Sequence, residues 1–410
     1  MKTMPIKLIA VSIGAIVAGH SSLAAADDVT DALTSGKAYG DIRLRYESVD
    51  QDLPSTNPAD DATALTVRTR LGYVTGSVSG FSATLEMEDS RIVAGQDEYT
   101  VGPTGFNPGE YSVIGDPETT EVDQAFIQYK TDSLTAKLGR QVLTYDGHRF
   151  VGHVGWRQDR QTFDGISFKY TPVENLTLHY AYLDERNRIF AEEADFDSKD
   201  HLFNAAYKTG FGTLTGYAYL LEIDEGVDNA LDTFGVSFKG AAPIGDMKLL
   251  YAAEYATQEK EAENVEDKDA DYMLLEGGLA ISGITAKLGY EVLGSDDSSY
   301  GFSTPLATLH KFNGWSDQFL ATPGVGLVDT YVSASGKIAG GTLTVVYHDF
   351  EADEDTAAID DLGSEIDVAY AKKFGKNYNA GIKYAAYSAG DDDAKKYDTD
   401  KLWVWVGASF

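Results

Sequence analysis

The amino-acid sequence predicts an all-β fold, a transmembrane antiparallel β-barrel of about 18 strands with short periplasmic turns and long extracellular loops. Three observations lead to this prediction. The chain opens with an export segment, short segments of alternating apolar and polar residues follow, and the connections between them are alternately tight and long. Barrels of the Gram-negative outer membrane combine these features, so we expect the chain to reside there.

The N-terminal residues have the pattern of a secretory signal peptide. Basic Lys2 and Lys7 precede an apolar run, and the small residues Ala24–Ala26 offer a cleavage site. The apolar run is too short to anchor the chain across a bilayer. We therefore expect residues 1–26 to be removed and residues 27–410 to form a single outer-membrane β-barrel domain.

The amino-acid composition excludes several classes of protein. The chain has no cysteine, so it carries neither disulfide bonds nor thiolate metal ligands. Its 25 tyrosines, 18 phenylalanines and 41 glycines favour an all-β chain. The net charge of −32 argues against nucleic-acid binding, which needs a basic surface.

Eighteen segments show the alternation of β-strands. In chain order they lie near residues 38–49, 65–75, 81–91, 121–130, 134–143, 163–170, 176–186, 201–208, 213–221, 233–239, 247–257, 271–281, 284–293, 327–335, 342–349, 364–374, 378–388 and 401–410. Tight connections such as 76–80 and 131–133 alternate with long polar ones. An even strand count with turns at one end and long loops at the other is typical of an outer-membrane barrel.

Each segment separates apolar side chains from charged ones. In the first segment, Ile42 and Leu44 alternate with Arg43 and Arg45. An arginine that faces lipid near the bilayer midplane costs about 2–4 kcal/mol. The charged phase must therefore face an enclosed lumen, and a barrel of this size encloses more space than its side chains fill, so a water channel is expected.

The chain ends on the segment KLWVWVGASF, in which Leu402, Val404 and Phe410 share the lipid phase. This strand should pair with the first one and remove the last open edge of the sheet. A terminal aromatic residue in such a strand resembles the signal that the barrel-assembly machinery reads. We expect Phe410 to engage that machinery; a strand that simply ends on phenylalanine is the alternative.

The region that spans the fifth and sixth segments reads LGRQVLTYDGHRFVGHVGWRQDRQTFDG. Its distinctive residues are Gly139, Arg140, Gln141, Tyr145, Arg149, Trp156, Arg157, Arg160, Phe163, Asp164 and Gly165. At these points the region resembles the alginate-export family of outer-membrane porins. Residues 310–320 and 346–353 are also similar to members of the family. The resemblance implies an eighteen-stranded barrel, and in the polysaccharide exporters it implies a narrow pore lined with arginines.

The inward phase of this chain is mixed, because acidic residues such as Glu254 and Asp367 stand beside the basic ones. We therefore expect an outer-membrane porin that forms a water-filled channel for passive diffusion of small hydrophilic, anionic solutes. A dedicated export channel for an anionic polysaccharide such as alginate is the alternative. An outer-membrane enzyme or adhesin would show a clustered catalytic or binding set in its loops, and the sequence shows none.

Charged residues of the inner wall and of the motif loop are the candidate pore-lining and selectivity residues. The set is Arg43, Arg45, Arg68, Arg70, Glu86, Glu88, Lys137, Arg140, Arg149, Arg157, Arg160 and Lys287. Because the arginine fork suits carboxylates and phosphates, these residues predict an anion-attracting ladder. Alternatively, the arginines pair with carboxylates such as Glu47, Glu86 or Asp164 and stiffen the barrel; both functions can hold together.

We expect no catalytic residues, no metal site and no cofactor. The sequence has no nucleophile elbow, zinc-protease motif or phosphate loop. Glu86 and Glu88, about 7 Å apart on a strand, fit a solvated lumen wall better than a hydrolytic carboxylate pair. The 7 histidines form no cluster at metal-ligand spacing.

Two long loops, residues 92–120 and 294–326, exceed what simple caps need. The second carries apolar residues such as Leu306 and Trp315, so we expect one or both loops to fold inward and narrow the lumen. The acidic loops at residues 259–271, 351–361 and 390–400 favour a solvated face, and we expect the barrel to contact outer-membrane lipid and lipopolysaccharide. Divalent cations that bridge these carboxylates to lipopolysaccharide phosphates are the alternative.

Overall fold

The computed structural model describes residues 23–55, 59–102, 107–224, 226, 229–263 and 266–410. Most of the predicted signal peptide, residues 1–22, lies outside the described residues, and its cleavage stays a prediction. Helix α1 (Leu23–Thr34) precedes the barrel and is tied to the turn at Gly76, whose N–H donates to the carbonyl of Ala32 at 2.8 Å. None of the helices in the described ranges has the length and apolar character needed to cross a membrane.

Eighteen of the strands that the structure describes form one antiparallel sheet. These strands are β1 (Lys37–Gln51), β2 (Ala62–Val74), β3 (Phe81–Glu98), β4 (Thr119–Lys130), β5 (Leu134–Gln141), β6 (Thr162–Val173), β7 (Leu176–Asn187), β8 (Phe196–Lys208), β9 (Gly212–Leu221), β10 (Asn229–Ile244), β11 (Met247–Ala262), β12 (Lys268–Ile281), β13 (Ile284–Leu293), β16 (Leu327–Ile338), β17 (Gly341–Glu351), β18 (Asp361–Phe374), β19 (Tyr378–Ser388) and β20 (Thr399–Ser409). A separate hairpin of β14 (Ser295–Asp296) and β15 (Tyr300–Gly301) lies in the loop between β13 and β16.

The sheet closes on itself, since β20 pairs with both β19 and β1. Just past β20, Phe410 and Gly40 exchange two backbone hydrogen bonds of 3.0 Å. A side chain at residue 40 would collide with the ring of Phe410, so glycine is needed for the ring to lie across β1. The predicted closed, eighteen-stranded transmembrane barrel is confirmed.

The two faces of the strands differ as the sequence predicted. Outward-facing Leu288 and Val406 are 58% and 52% exposed, which places a continuous apolar surface where hydrocarbon would contact the barrel. Inward-facing Arg45 and Glu47 are each only 1% exposed. Because successive side chains alternate, one register fixes both faces of every strand at once.

Several strands extend beyond the segments that the sequence predicted. β3 continues to Glu98 rather than 91, and β10 spans Asn229–Ile244 rather than 233–239. The added residues near the extracellular ends do not keep the alternation of apolar and charged side chains, and β3 ends on the polar residues Gln96, Asp97 and Glu98. As a result, the predicted loop at 92–120 is shortened to residues 99–118.

Candidate functional site

Two loops that leave the extracellular end of the barrel fold into its lumen. Loop 294–326 connects β13 to β16, and its inward position was predicted from the sequence. Loop 142–161, which connects β5 to β6 and carries the family motif, lies beside it, although the sequence did not predict that it folds inward. They are joined by backbone hydrogen bonds from Gly152 to Leu306 (2.7 Å) and from Thr308 to His148 (3.0 Å). The two loops therefore form one body across the lumen.

An aromatic and aliphatic cluster attaches this body to the wall. Phe150 of loop 142–161 packs against Tyr217 of β9 and Tyr272 of β12, with ring centroids 5.1 and 5.3 Å apart. Leu306 and Phe319 of loop 294–326 are 1% and 6% exposed in the same cluster. Burial of these apolar side chains favours the inward position of both loops over a solvated one.

Loop 99–118 reaches the lumen through Asp116, which is fully buried. Its carboxylate pairs with Arg45 of β1 and accepts a hydrogen bond of 3.0 Å from the backbone N–H of Gln158. Burial opposes the charge of Asp116, but the guanidinium groups of Arg45 and Arg157 outweigh burial and lower its pKa. Asp116 thus links three segments of the lumen.

Arg43 and Arg45, two of the sequence-predicted residues, hold loop 142–161 in place. Arg43 donates to the carbonyls of Trp156 and Arg157 at 2.6 and 2.7 Å. Arg45 also donates to the carbonyl of Trp156 and lies 3.1 Å from a carboxylate oxygen of Glu47. Both guanidinium groups therefore satisfy buried acceptors of the protein itself.

The four other wall candidates on β2 and β3 form a network with Arg160 of loop 142–161. Arg70 pairs with Glu88, and Arg68 lies 3.9 Å from the same carboxylate. Arg160 pairs with Glu86, and its backbone N–H donates to Glu88 at 3.1 Å. Each of these charges has a partner of opposite sign.

The remaining arginine candidates are also paired. Arg140 donates to both carboxylate oxygens of Asp164, at 2.8 and 3.1 Å. Arg157 donates to Glu47 at 3.0 and 3.1 Å. Burial opposes the charge of Arg157, but the adjacent Glu47 raises its pKa.

The last three candidates lie on different parts of the wall or lumen. Arg149 lies 2.8 Å from Glu291, and Lys287 lies 2.9 Å from Glu276. Lys137 lies over the ring of Phe126, with its ammonium 4.4 Å from the ring centroid. Arg43 therefore bonds only to uncharged acceptors, whereas the other candidate arginines form ion pairs, the second of the two arrangements that the sequence left open. Any role of these twelve residues in ion selectivity stays a proposal.

A cavity of about 440 Å³ lies between loop 294–326 and the extracellular ends of β7, β8 and β11. Its basic lining residues are Arg149, Arg186, Arg188 and Lys260. Among the residues that the structure describes, no carboxylate lines this cavity. Aromatic and aliphatic side chains, including Phe196, Tyr300, Leu309 and Phe319, share the rest of its wall with hydroxyl and amide side chains such as that of Thr304.

Arg188 and Lys260 differ from the other cations in this cavity. Within the described ranges neither side chain forms an ion pair, and each lies over an aromatic ring: Arg188 is 5.2 Å from the centroid of Phe196, and Lys260 is 4.9 Å from that of Tyr300. In contrast, Arg186 donates to both carboxylate oxygens of Asp200 at 2.7 Å. Two cations are thus available to an anion in the cavity.

The carboxyl group of Asp195 accepts a hydrogen bond of 2.6 Å from the backbone N–H of Arg188 and interacts electrostatically with its guanidinium. Burial raises the pKa of Asp195 to about 7, so this group is partly protonated near neutral pH. When Asp195 is protonated, its carboxyl group no longer offsets the positive charge of the Arg188 guanidinium.

Sequence reasoning missed Arg186, Arg188 and Lys260. The alternation of Arg186 and Arg188 at the end of β7 was a usable signal, since i and i+2 on a strand share a face. Lys260 was hidden in a run of acidic residues. Its position over the cavity depends on loop 294–326, which supplies Tyr300.

The closed barrel with loops folded into its lumen defines a class of protein, the outer-membrane porins. Within this class the chain belongs to the alginate export family, since the sequence profile of that family, Alginate export, matches residues 37–292. No curated protein matches the sequence.

Solved structures share the fold at low identity. OccK9 (OpdG) of Pseudomonas aeruginosa is 15% identical, with 92% of this chain and 99% of that chain covered and a TM-score of 0.71. OccAB4 of Acinetobacter baumannii is 14% identical, with 92% and 98% covered and a TM-score of 0.72. OpdK of Pseudomonas aeruginosa with vanillate is 13% identical, with 91% and 98% covered and a TM-score of 0.67.

Proposed function

We propose that the protein is a passive porin through which small hydrophilic anions cross the outer membrane down their gradient. The observation that carries the proposal is the cavity beside loop 294–326, which has four basic residues and no carboxylate among the described lining residues. This charge is notable because the whole chain carries a net charge of −32. A cationic site in so acidic a protein needs an explanation, and anion passage supplies one.

Local charge, rather than net charge, governs which ions enter a pore. In water, a unit charge about 4 Å away attracts a counter-ion by about 1 kcal/mol, and by more where the surrounding wall lowers the dielectric constant. A free-energy difference of about 1.4 kcal/mol is tenfold in an equilibrium constant. Charges on the outer loops act weakly at the cavity, because the screening length is about 8 Å at physiological salt. Arg188 and Lys260 therefore favour anions locally.

A dedicated exporter of an anionic polysaccharide such as alginate is less well supported. A polyanion that crosses the barrel requires unpaired cations along its whole path. Here the arginines of the wall, such as Arg45, Arg70 and Arg140, are bound to carboxylates of the protein. The solved structure of OpdK with vanillate, an organic anion, is consistent with a small anionic solute for this fold.

Reversal potentials across planar bilayers under a salt gradient test the proposal on the wild-type protein. We expect a potential of the sign that anion preference gives, and a current that organic acids block more strongly than neutral sugars, because Arg188 and Lys260 bind carboxylates. A clear cation preference would overturn the anion assignment. Absence of any ion conductance from the inserted barrel would overturn the porin function itself.

Contacts with the cell envelope form a second part of the proposal. We propose that Phe410, 68% exposed on the lipid-facing side, engages the barrel-assembly machinery. Phe410→Ala should then reduce the amount of inserted protein several-fold without altering the conductance of the barrels that do insert, as measured by heat-modifiable electrophoresis of outer membranes. Equal insertion of the variant and the wild type would contradict this role.

The acidic extracellular loops suit contacts with lipopolysaccharide through Ca²⁺ or Mg²⁺, because carboxylates are good ligands for hard cations. Exposed carboxylates such as those of Asp392 and Glu261 are the candidate ligands for these cations. A chelator should then lower the melting temperature in membranes that contain lipopolysaccharide and not in phospholipid alone. An equal effect in both membranes would count against it.

A further inference from the structure

We propose that Asp317 is a positioning residue of the pore: it holds the apex of loop 294–326, residues 313–317, against the wall and so sets the width of the constriction. This inference rests on the proposed channel function and adds to it the group on which the constriction depends.

The carboxylate of Asp317 joins three separate elements. One oxygen lies 3.0 Å from the guanidinium of Arg157 in loop 142–161 and 3.0 Å from the ammonium of Lys401 in β20. The other oxygen lies 2.6 Å from Nδ1 of His310 in its own loop. The side chain is 6% exposed, so these contacts are shielded from solvent. Removing the charge would weaken contacts of both inward loops and of the wall together.

His310 extends this link to β19. Burial lowers the pKa of His310 to about 3, so its ring is neutral at physiological pH. Its Nε2 lies 2.8 Å from the ammonium of Lys383 and can only accept from it, which leaves the proton on Nδ1, facing Asp317. Lys383, His310 and Asp317 therefore form a directed chain of hydrogen bonds from the wall to the loop.

The rest of the apex is docked by polar contacts as well. Glu365 of β18 accepts the backbone N–H of Ser316 at 2.8 Å, together with the Ser316 hydroxyl and the N–H of Trp315. Asn313 donates to Glu291 of β13 at 2.7 Å and to Asp329 of β16 at 3.1 Å. Together with Lys383 and Lys401, these residues place one short apex against five strands of the barrel.

The backbone of the apex is unfavourable in isolation. Asn313, Gly314 and Asp317 have φ values of 54°, 84° and 64°, and the left-handed region is costly for residues that carry a side chain. At Gly314 a side chain would also collide with the carboxylate of Glu365. An apex held in this conformation by polar contacts should relax when its central contact is removed.

The tryptophans provide an independent measure of docking. Of the four, Trp315 belongs to the apex, and Trp403 and Trp405 pack against Trp156 with ring centroids 6.0 and 5.4 Å apart. The ring of Trp156 stacks on His310 at 5.2 Å, and the ammonium of Lys383 lies 3.9 Å from the centroid of Trp315. Because the chain has 4 tryptophans, its intrinsic fluorescence reports on this region.

Asp317→Asn tests the inference, since it removes the charge and keeps the shape. We expect the tryptophan emission to shift to longer wavelength as the apex hydrates, and the single-channel conductance to rise by roughly two-fold or less, because a constriction governs conduction. Asp355→Asn is the matched control: it makes the same change at an exposed residue of the loop between β17 and β18. This control should match the wild type in both measurements.

Wild-type conductance and emission in folded Asp317→Asn would overturn the inference, with folding checked by heat-modifiable electrophoresis. If that variant does not fold, Lys401→Gln carries the test, because it removes one partner of Asp317 and leaves the carboxylate in place. Lys401→Gln should then show a smaller change in the same direction, and no change would again overturn the inference. Failure of the proposed function is distinct: the wild-type protein would then fail to conduct anions.

Discussion

Replacing both Arg188 and Lys260 with glutamate is expected to change the channel from anion-selective to cation-selective. Each exchange replaces a positive charge with a negative one in the cavity. The other two lining arginines, Arg149 and Arg186, are already paired with wall carboxylates at 2.8 and 2.7 Å. If each unit of charge contributes about 1 kcal/mol, the local ratio of anions to cations falls by well over tenfold.

Reversal potentials under a salt gradient measure this change as an inversion of sign. Lys199→Glu is the control, because Lys199 is 46% exposed and forms its ion pairs with Glu222 and Asp224 of an extracellular loop. We expect that control to retain the anion preference of the wild type. Retention of anion preference in the double variant would exclude the cavity as the source of selectivity, even if the protein conducts.

Deleting residues 303–323 is expected to raise the single-channel conductance roughly two-fold or more, since this segment is packed across the lumen against loop 142–161 and the wall. The deletion removes the docked apex together with Leu306 and Phe319, which belong to the apolar cluster between the loops and the wall. It also removes one side of the basic cavity, so block by organic acids should weaken. Conductance and block are both read in planar bilayers.

The eighteen wall strands do not contribute residues to the deleted segment, so the barrel should still close. Removal of the exposed residues 355–358 from the loop between β17 and β18 is the control, because the hydrogen bonds of Thr356 and Ala358 stay within that loop. Its conductance should equal that of the wild type. An unchanged conductance after deletion of 303–323 would mean that the narrowest point lies elsewhere.

The sequence predicted the inward loop that the deletion removes, but it did not predict the ion pairs of the lumen. The apolar content of residues 294–326 predicted an inward loop, because exposed apolar side chains are costly in water. The ion pairs of the two inward loops were beyond prediction: Arg157 and Asp317 are 160 residues apart, and Arg149 and Glu291 are 142 apart. Pairings at such separations depend on how two loops pack, which no local pattern encodes.

On the inner wall, too, the sequence predicted the position of a charged side chain but not its partner. Alternation placed Arg45, Arg70 and Glu88 on the charged face, and the structure has them there. Alternation could not tell whether an inward arginine meets water or a carboxylate. The partners are supplied by loops: Asp116 pairs with Arg45 of the wall, and Arg160 pairs with Glu86 of the wall.

The sequence by itself determined the number of strands, the lipid-facing and lumen-facing sides of each, and the closing strand that ends at Phe410. These features follow from a period of two residues and from the cost of charge in hydrocarbon, both of which are local. Only the tertiary structure decided which cations of the cavity stay unpaired, Arg188 and Lys260, and which are neutralised, Arg149 and Arg186. The physical reason is that a charge is compensated by whatever lies within a few ångströms, and inside this barrel those neighbours come from distant loops.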